Sequence, residues 1–315
     1  MHRRQFLQMS GTAAAAFTGS SLPAATLGRT GLRVTRICVG GHHMRVRGED
    51  EGIRIIRRAI DLGVNFFDSA HHYNNGESDV TYGKALAGGL RQRIVLMGKA
   101  HLRTRDAAMR QLEETLRRMQ TSHLDLWQCH EVSTMDEVER IFAPGGALEA
   151  FVRAKEQGKA RHIGFTGHRD PRVHLEMLKR FEGWETVQHP VNLIDPHYLS
   201  FIGSVLPEVR RKGLGRIAMK SNGMGSIGKN GVASIQECLR FAWSQDVDTL
   251  VSGVETVAQL EENVAALRAF QPMSREEQRR LLARTAKGPH GSKVERYKKP
   301  EDGAWHAPHR DGERA

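Results

Sequence analysis

Asp68, Tyr73, Lys99 and His130 are the residues of this 315-residue chain whose types could carry proton chemistry together. Asp68 lies near the end of one short apolar run (Asn65–Ala70), Lys99 ends a second (Ile94–Lys99), and His130 ends a third (Leu124–His130). Three ionisable groups closing three successive apolar runs are costly to bury unless they satisfy one another. A phenol is a poor acid at neutral pH, with a reference pKa of about 10. A cation about 4 Å away is worth about 4 kcal/mol at an effective dielectric of 20, enough to lower that pKa by about 3. Lys99 supplies such a cation, and Asp68 the counter-ion that keeps it charged and oriented. Tyr73 could then give a proton to an oxygen gaining negative charge, such as a carbonyl oxygen receiving hydride. His130 would orient that carbonyl by hydrogen bonding. Taken singly, these residues read as a structural ion pair, a packing tyrosine and a core histidine. Their joint occurrence favours chemistry.

The elements that must position them alternate along the chain. Candidate strands are Val34–Gly40, Asn65–Ala70, Ile94–Lys99, Leu124–His130, Ala160–Thr166, Thr186–Val191, Gly215–Lys220 and Thr249–Gly253. Between them apolar residues recur at helical spacing, as in Ile53-Ile56-Ala59-Ile60 and Leu260-Val264-Leu267. Eight strands, each followed by a helix, with no change of composition, predict a single-domain α/β protein: a (β/α)8 TIM barrel. Reactive groups then belong at the carboxyl ends of the strands, where Asp68, Lys99 and His130 stand. An open doubly wound sheet would need a Gly-rich phosphate turn, which Gly40-Gly41-His42-His43 does not supply. Gly28-Arg29-Thr30-Gly31 reads as the turn of an N-terminal β-hairpin plugging the barrel bottom. From Gly288 onward the chain is rich in Gly, Pro and charge, and reads as a C-terminal tail or a loop over the barrel. The expected division is thus 1–26 signal, 27–287 barrel and 288–315 tail.

In order and spacing, several segments resemble the aldo-keto reductases over nearly all of residues 27–270. They are Leu27-Gly28-Arg29-Thr30-Gly31-Leu32-Arg33-Val34, Gly63-Val64-Asn65-Phe66-Phe67-Asp68-Ser69-Ala70, and Tyr73-Asn74-Asn75-Gly76-Glu77-Ser78-Asp79. Lys99, Leu124-Asp125-Leu126-Trp127-Gln128-Cys129-His130 and Gln259-Leu260-Glu261-Glu262-Asn263 complete the set. All four positions of that family's catalytic tetrad are filled, by Asp68, Tyr73, Lys99 and His130. The resemblance implies NAD(P)H-dependent reduction of an aldehyde or ketone, or the reverse alcohol oxidation, with Tyr73 as proton donor. It also implies cofactor contacts. Thr166 and Gln188 fall where the family contacts the nicotinamide carboxamide, although Gly167 and His168 depart from its pattern. Met219 and Lys220 open a polar turn suited to phosphates. Gly253, Thr256, Gln259, Glu262 and Asn263 fall in the segment gripping the pyrophosphate and adenosine, where a helix start adds backbone amides for an anion. The expected cofactor is NADP, with NAD possible because Glu255 would repel a 2′-phosphate.

Two rival readings follow from the same residues. Histidines crowd the strand ends (His42, His43, His71, His72, His101, His130, His168, His189), as in metal-dependent barrel hydrolases. That reading leaves Tyr73 and Lys99 without a role, lacks an HxH on the first strand and lacks an aspartate closing the eighth. A non-catalytic nucleotide-sensing barrel is the other, against which the complete tetrad stands. The expectation is therefore no metal, a small carbonyl or sugar-like substrate, and a pocket to which His43, Trp127 and Trp305 contribute.

Composition fits a globular protein, 39% hydrophobic and 26% charged. The net charge of +11 is spread among acids, as in Arg110–Glu113–Glu114–Arg117–Arg118, so it reads as solvated helix faces rather than a nucleic-acid surface. Three scattered cysteines offer neither a disulfide framework nor a zinc motif. No apolar run is long enough to span a bilayer as a mature helix. Met1-His2-Arg3-Arg4-Gln5-Phe6-Leu7, an Ala-rich stretch and Ser21-Leu22-Pro23-Ala24-Ala25 resemble a twin-arginine-type export signal, departing from it at His2 and Gln8. The expected location is periplasmic or otherwise exported, with the export machinery as a partner and cleavage within residues 21–26; the chain is cytoplasmic if the signal is not used.

Overall fold

The computed structural model describes residues 21–229, 231–288 and 291–300. Its first elements are β1 (Ala24–Thr26) and β2 (Arg33–Thr35), an antiparallel hairpin in which Ala25 faces Val34. Gly28 in the connecting turn has φ +46°, and a Cβ there would lie 2.1 Å from the Gly215 nitrogen, so the turn can seat against the barrel only as glycine. Leu27 and Val34 are fully buried with Cys38, Phe66, Met97, Leu126 and Ile217, closing the amino-terminal end of the barrel. The hairpin plug expected from the sequence is therefore present. The expected strand Val34–Gly40 divides at Arg36: its first part belongs to the hairpin and only Ile37–Gly40 to the barrel.

That hairpin also reaches upstream of residue 27, the expected start of the barrel. Leu22 is already buried in the main core. A cleavage late in the 21–26 window would remove β1, whereas one at its start would keep it. The segment read as an export signal lies, up to residue 20, outside the described residues.

Eight parallel strands follow: β3 (Ile37–Gly40), β4 (Phe66–Asp68), β5 (Val95–Ala100), β6 (Leu124–Cys129), β7 (Ala160–Thr166), β8 (Thr186–Pro190), β9 (Gly215–Met219) and β10 (Thr249–Gly253). Each pairs with the next, and β10 pairs with β3, giving the closed barrel. Around it lie α1 (Glu49–Asp61), α2 (Glu77–Ala85), α3 (Arg105–Arg118), α4 (Met135–Phe142), α5 (Ala147–Glu156) and α6 (Pro171–Arg180). The ring continues with α7 (Phe201–Arg211), α8 (Ser226–Lys229), α9 (Ile235–Ser244), α10 (Val257–Arg268) and α11 (Arg275–Thr285). Capping boxes start α4, α9 and α11, where Thr134, Ser234 and Ser274 accept the amide three residues on. No helix among the described residues is long and apolar enough to cross a membrane.

Strand alternation decides which residues face the interior. Phe66, Met97 and Leu126 belong to the cluster inside the barrel, while Phe67, Leu96 and Trp127 belong to the layer between strands and helices. Two residues beyond the inward set stand Asp68, Lys99 and Gln128, and His130 follows in the same parity. Trp127 therefore cannot line the pocket: it is buried on the outer face and stacked on Phe151 with centroids 3.9 Å apart. Trp305 lies outside the described residues. The residues after Gly288 do not simply trail off, since Val294, Glu295 and Lys298 are fully buried against the loops after β8 and β9.

Candidate active site

Asp68 is the last residue of β4, Lys99 the penultimate residue of β5, and His130 the residue after β6; all three are buried. The Lys99 ammonium donates to Asp68 Oδ1 and, at 2.9 Å, to the Ser69 carbonyl. Its third neighbour is the Tyr73 hydroxyl, 3.5 Å from Nζ. Tyr73 opens a tight turn in which Asn74 and Asn75 take left-handed φ of 51° and 55°, values asparagine tolerates better than most residues. The His130 ring packs edge-on to Tyr73 at 5.5 Å. The structure thus gathers all four residues at the carboxyl end of the barrel.

Electrostatics there differ from the simple expectation in one respect. Burial, followed by the nearby Asp68 and Glu131 carboxylates, holds the Tyr73 phenol well above its usual pKa of 10. The expected lowering by Lys99 is outweighed because its charge is shared with Asp68 and because a buried phenolate is poorly solvated. Burial also raises the Asp68 carboxyl against the opposing pull of Lys99. His130 is pushed well below 6.5 by burial and then by His72 and Lys99, so its imidazole is neutral at neutral pH.

The residues expected to hold a cofactor occupy the opposite arc of the same rim. Thr166 ends β7, Gln188 lies in β8, Met219 ends β9 and Lys220 follows it with φ 57°; Gly253 ends β10. Thr256 caps α10 and accepts the Gln259 amide at 3.2 Å, while the Gln259 side chain accepts the Glu255 amide at 2.8 Å. Asn263 donates to Ser252 Oγ at 3.0 Å, and Glu262 is exposed. The two arcs meet at Gln188, whose amide hydrogen-bonds the Asp68 carboxylate and approaches Met219 Sδ at 3.5 Å. Its Oε1 is buried without a partner. An orphaned acceptor beside the tetrad is what a carboxamide N–H would satisfy, so the residues fit a nicotinamide there.

Several residues of the site carry no motif. Arg103, buried after β5, donates to the carbonyls of His130 at 2.8 Å and Glu131 at 3.2 Å and to Glu137 Oε1 at 3.0 Å, clamping the end of β6. Glu131 has φ 54° and faces His168 Nε2 at 3.3 Å. Tyr297, from the C-terminal segment, meets the His168 ring at 5.3 Å and lies 4.8 Å beneath Lys220 Nζ. Long basic and acidic side chains are common enough that nothing in the sequence marks these as part of a site.

The strand-end histidines do not converge as a metal hydrolase requires. His72 stacks on His130 at 4.9 Å and meets His101 at 4.8 Å, while Gln111 bonds both His71 and His101. Among the described residues no three His, Cys, Asp or Glu side chains are arranged to hold a metal ion.

Comparison with known proteins agrees with this geometry. Residues 36–230 match the model of the aldo/keto reductase family. An oxidoreductase of Bacillus subtilis, YrpG, is 32% identical over 233 residues, covering 66% of this chain and 69% of its own. The L-galactose dehydrogenase of Arabidopsis thaliana is 24% identical over 305 residues, covering 80% and 90%. Among solved structures, a holo-form aldo-keto reductase of Bacillus halodurans superposes with TM-score 0.72 at 23% identity, over 87% of this chain and 99% of its own. The aldo-keto reductase of Klebsiella pneumoniae in complex with NADPH gives 0.68 at 20% identity, over 85% and 96%. The chain belongs to the aldo/keto reductase family, and so to the nicotinamide-dependent oxidoreductases.

Proposed function

We propose that the protein reduces an aldehyde or ketone with NADPH, or runs the reverse oxidation, with Tyr73 as the proton donor. The observation that carries this reading is the Lys99 ammonium held between Asp68 and the Tyr73 hydroxyl, beside a neutral His130. A bound nicotinamide supplies hydride to the carbonyl carbon. His130, whose ring makes no hydrogen bond among the described residues and whose Nδ1 is buried without a partner, orients the carbonyl oxygen by a hydrogen bond from Nε2. Tyr73 stays protonated through neutral pH and gives its proton to that oxygen as charge develops there. The Lys99 charge, fixed by Asp68, stabilises the phenolate this leaves. In oxidation the same phenolate is the base, so that direction gains as pH rises.

NADP is favoured by family habit and by the NADPH bound in the Klebsiella relative; Glu255 at the adenosine end keeps NADH as the competing outcome. We infer further that Arg3 and Arg4 direct export, supported by the segment's charge, its weak hydrophobicity and its small residues near 21–26.

Titration of the purified chain with NADPH and NADH, followed by nicotinamide fluorescence, tests the first reading together with Tyr73→Phe on a panel of carbonyls. Tight binding, with kcat lowered about 10²- to 10⁴-fold in the variant, is the expected result. Binding with no turnover by the natural chain supports a nucleotide sensor instead. Failure to bind either nucleotide overturns the proposal.

A further inference from the structure

Beyond the tetrad, the mouth of the barrel carries a row of imidazoles that the reduction of a bare carbonyl does not require. His72 packs edge-on to the Tyr73 ring at 5.4 Å and stacks on His130, and His101 meets His72 in turn. The row therefore runs outward from the reacting centre by two ring contacts. Among the described residues neither His72 nor His101 makes a hydrogen bond through Nε2, and His72 Nδ1 is buried without a partner.

The orientation of His101 is fixed by one buried side chain on α3. Gln111 Oε1 accepts the backbone amides of His101 at 3.0 Å and Leu102 at 3.1 Å. Because two N–H groups face that atom, it is the amide oxygen, and the Gln111 NH2 must point the other way. That NH2 lies 3.1 Å from Nδ1 of His101 and 3.1 Å from Nδ1 of His71. Both Nδ1 atoms consequently accept, and in a neutral ring the proton sits on Nε2. In His71 this Nε2–H is used internally, donating to Glu114 Oε2 at 2.7 Å. In His101 it is left unspent at the mouth. Burial first, then the neighbouring His72 and His71, brings His101 down to about 4; burial likewise brings His72 to about 4, so the row is uncharged at neutral pH.

We propose that His101, held in its Nε2–H tautomer by Gln111, is a specificity-determining residue that donates a hydrogen bond to a hydroxyl of the substrate, which is a neutral, hydroxylated carbonyl compound of the sugar type. A hydroxyl both accepts from His101 and donates onward. An apolar aldehyde would bury the imidazole edges unpaired, and an anion would gain no ion pair from a neutral row. This inference rests on the reductase reading. Within it Gln111 is a positioning residue, acting only through His101.

The test compares NADPH-dependent reduction of aldoses of four to six carbons with unsubstituted aldehydes of the same length, in the natural chain and in His101→Phe. Phenylalanine keeps the ring contact with His72 and removes the Nε2 donor together with the Nδ1 acceptor, leaving the Gln111 NH2 bonded to His71 alone. Taking each substrate's ratio between the two proteins cancels the small open-chain fraction of the sugars. The expected result is that kcat/KM for the aldoses falls about 10-fold or more while that for the plain aldehydes moves by less than about 3-fold. Nitrogen-15 shifts of the His101 imidazole should show the Nε2–H tautomer, lost in Gln111→Met. Equal changes for both substrate classes would mean that His101 only packs, and would overturn the proposal; so would unchanged rates, or a natural chain that reduces plain aldehydes but no aldose. Absence of turnover with every carbonyl, despite nucleotide binding, would overturn the reductase reading itself.

Discussion

A lysine with no measurable exposure, between a carboxylate and a phenol, is the feature of this protein most sensitive to a single atom. Desolvating both members of the Lys99–Asp68 pair costs several kcal/mol, which their contact and the Ser69 carbonyl must offset. Lys99→Met therefore has two consequences. It removes the charge proposed to stabilise a Tyr73 phenolate, and it strands Asp68 without a cation. Stability should drop by about 3–5 kcal/mol in Lys99→Met, and a large part should return in Lys99→Met with Asp68→Leu, as read by chemical denaturation. Neither variant should turn over substrate. A single variant as stable as the natural chain would mean that the pair is not the buried ion pair described here. These residues were legible because each is chemically conspicuous at a strand end. Gln111 was not: it sits mid-helix in α3 and acts through two tautomers that no spacing reveals. The elevated Tyr73 pKa was also hidden, since it depends on burial of the assembled rim rather than on the lysine alone.

At the scale of elements, the barrel was readable because strands buried on both faces and amphipathic helices leave different periodicities. The hairpin was readable from its glycines. What the sequence concealed is polar burial. From Gly288 the chain looks like a solvated tail, yet Lys298 Nζ is fully buried among Asp195 Oδ1 at 2.8 Å, the Tyr198 carbonyl at 2.7 Å and Glu295 Oε2 at 2.7 Å. Asn192 and the Tyr297 hydroxyl complete the cluster on Glu295 Oε1. Hydropathy treats such residues as surface, because it cannot see charges that satisfy one another. Trp127 erred the other way: its place beside Gln128 and His130 suggested a pocket, whereas alternation turns it outward. Lys298→Met should release this strap while leaving the barrel intact. Limited proteolysis should cut within residues 291–300 much faster in the variant, with the far-ultraviolet circular dichroism unchanged. KM should rise more than kcat falls, because Tyr297 would no longer pack against His168 and Lys220. Equal protease resistance would show that the buried lysine does not anchor the segment.

For the whole molecule, the buried imidazoles set an acid limit. Burial holds His72 and His101 near 4 and His130 and His174 well below 6.5, so in the fold they stay neutral while the unfolded chain takes up protons from about 6.5 downward. Groups with depressed folded pKa values of this kind contribute stability above 6.5 that is lost as pH falls toward 4. Asp79, raised to about 6 by burial, works in the opposite direction, as do Asp68 and Glu295, which burial also raises, but the three are outnumbered by the histidines. The Tm should fall by roughly 5–10 °C between pH 6.5 and 4.5, a range scanning calorimetry resolves; a flat profile would mean that these rings are solvated.

Export directed by Arg3 and Arg4, as proposed, raises a different constraint at the same scale. A reductase outside the cytoplasm has no ready pool of reduced nicotinamide, whereas a route that moves folded proteins lets the barrel leave with its cofactor bound. Recycling by paired oxidation and reduction of substrates then requires that the nucleotide not escape. The rim suits retention, with the strap across Lys220 and His168 on one side and the α10 start on the other. Replacing Arg3 and Arg4 by lysines should hold the protein in the cytoplasm, seen by fractionation. The natural chain recovered from the periplasm should keep about one equivalent of nucleotide through desalting, and Lys298→Met should lose it. Rapid, complete loss from the natural chain would mean that the cofactor does not travel with the fold, and unchanged localisation of the lysine variant would mean that the paired arginines do not direct export.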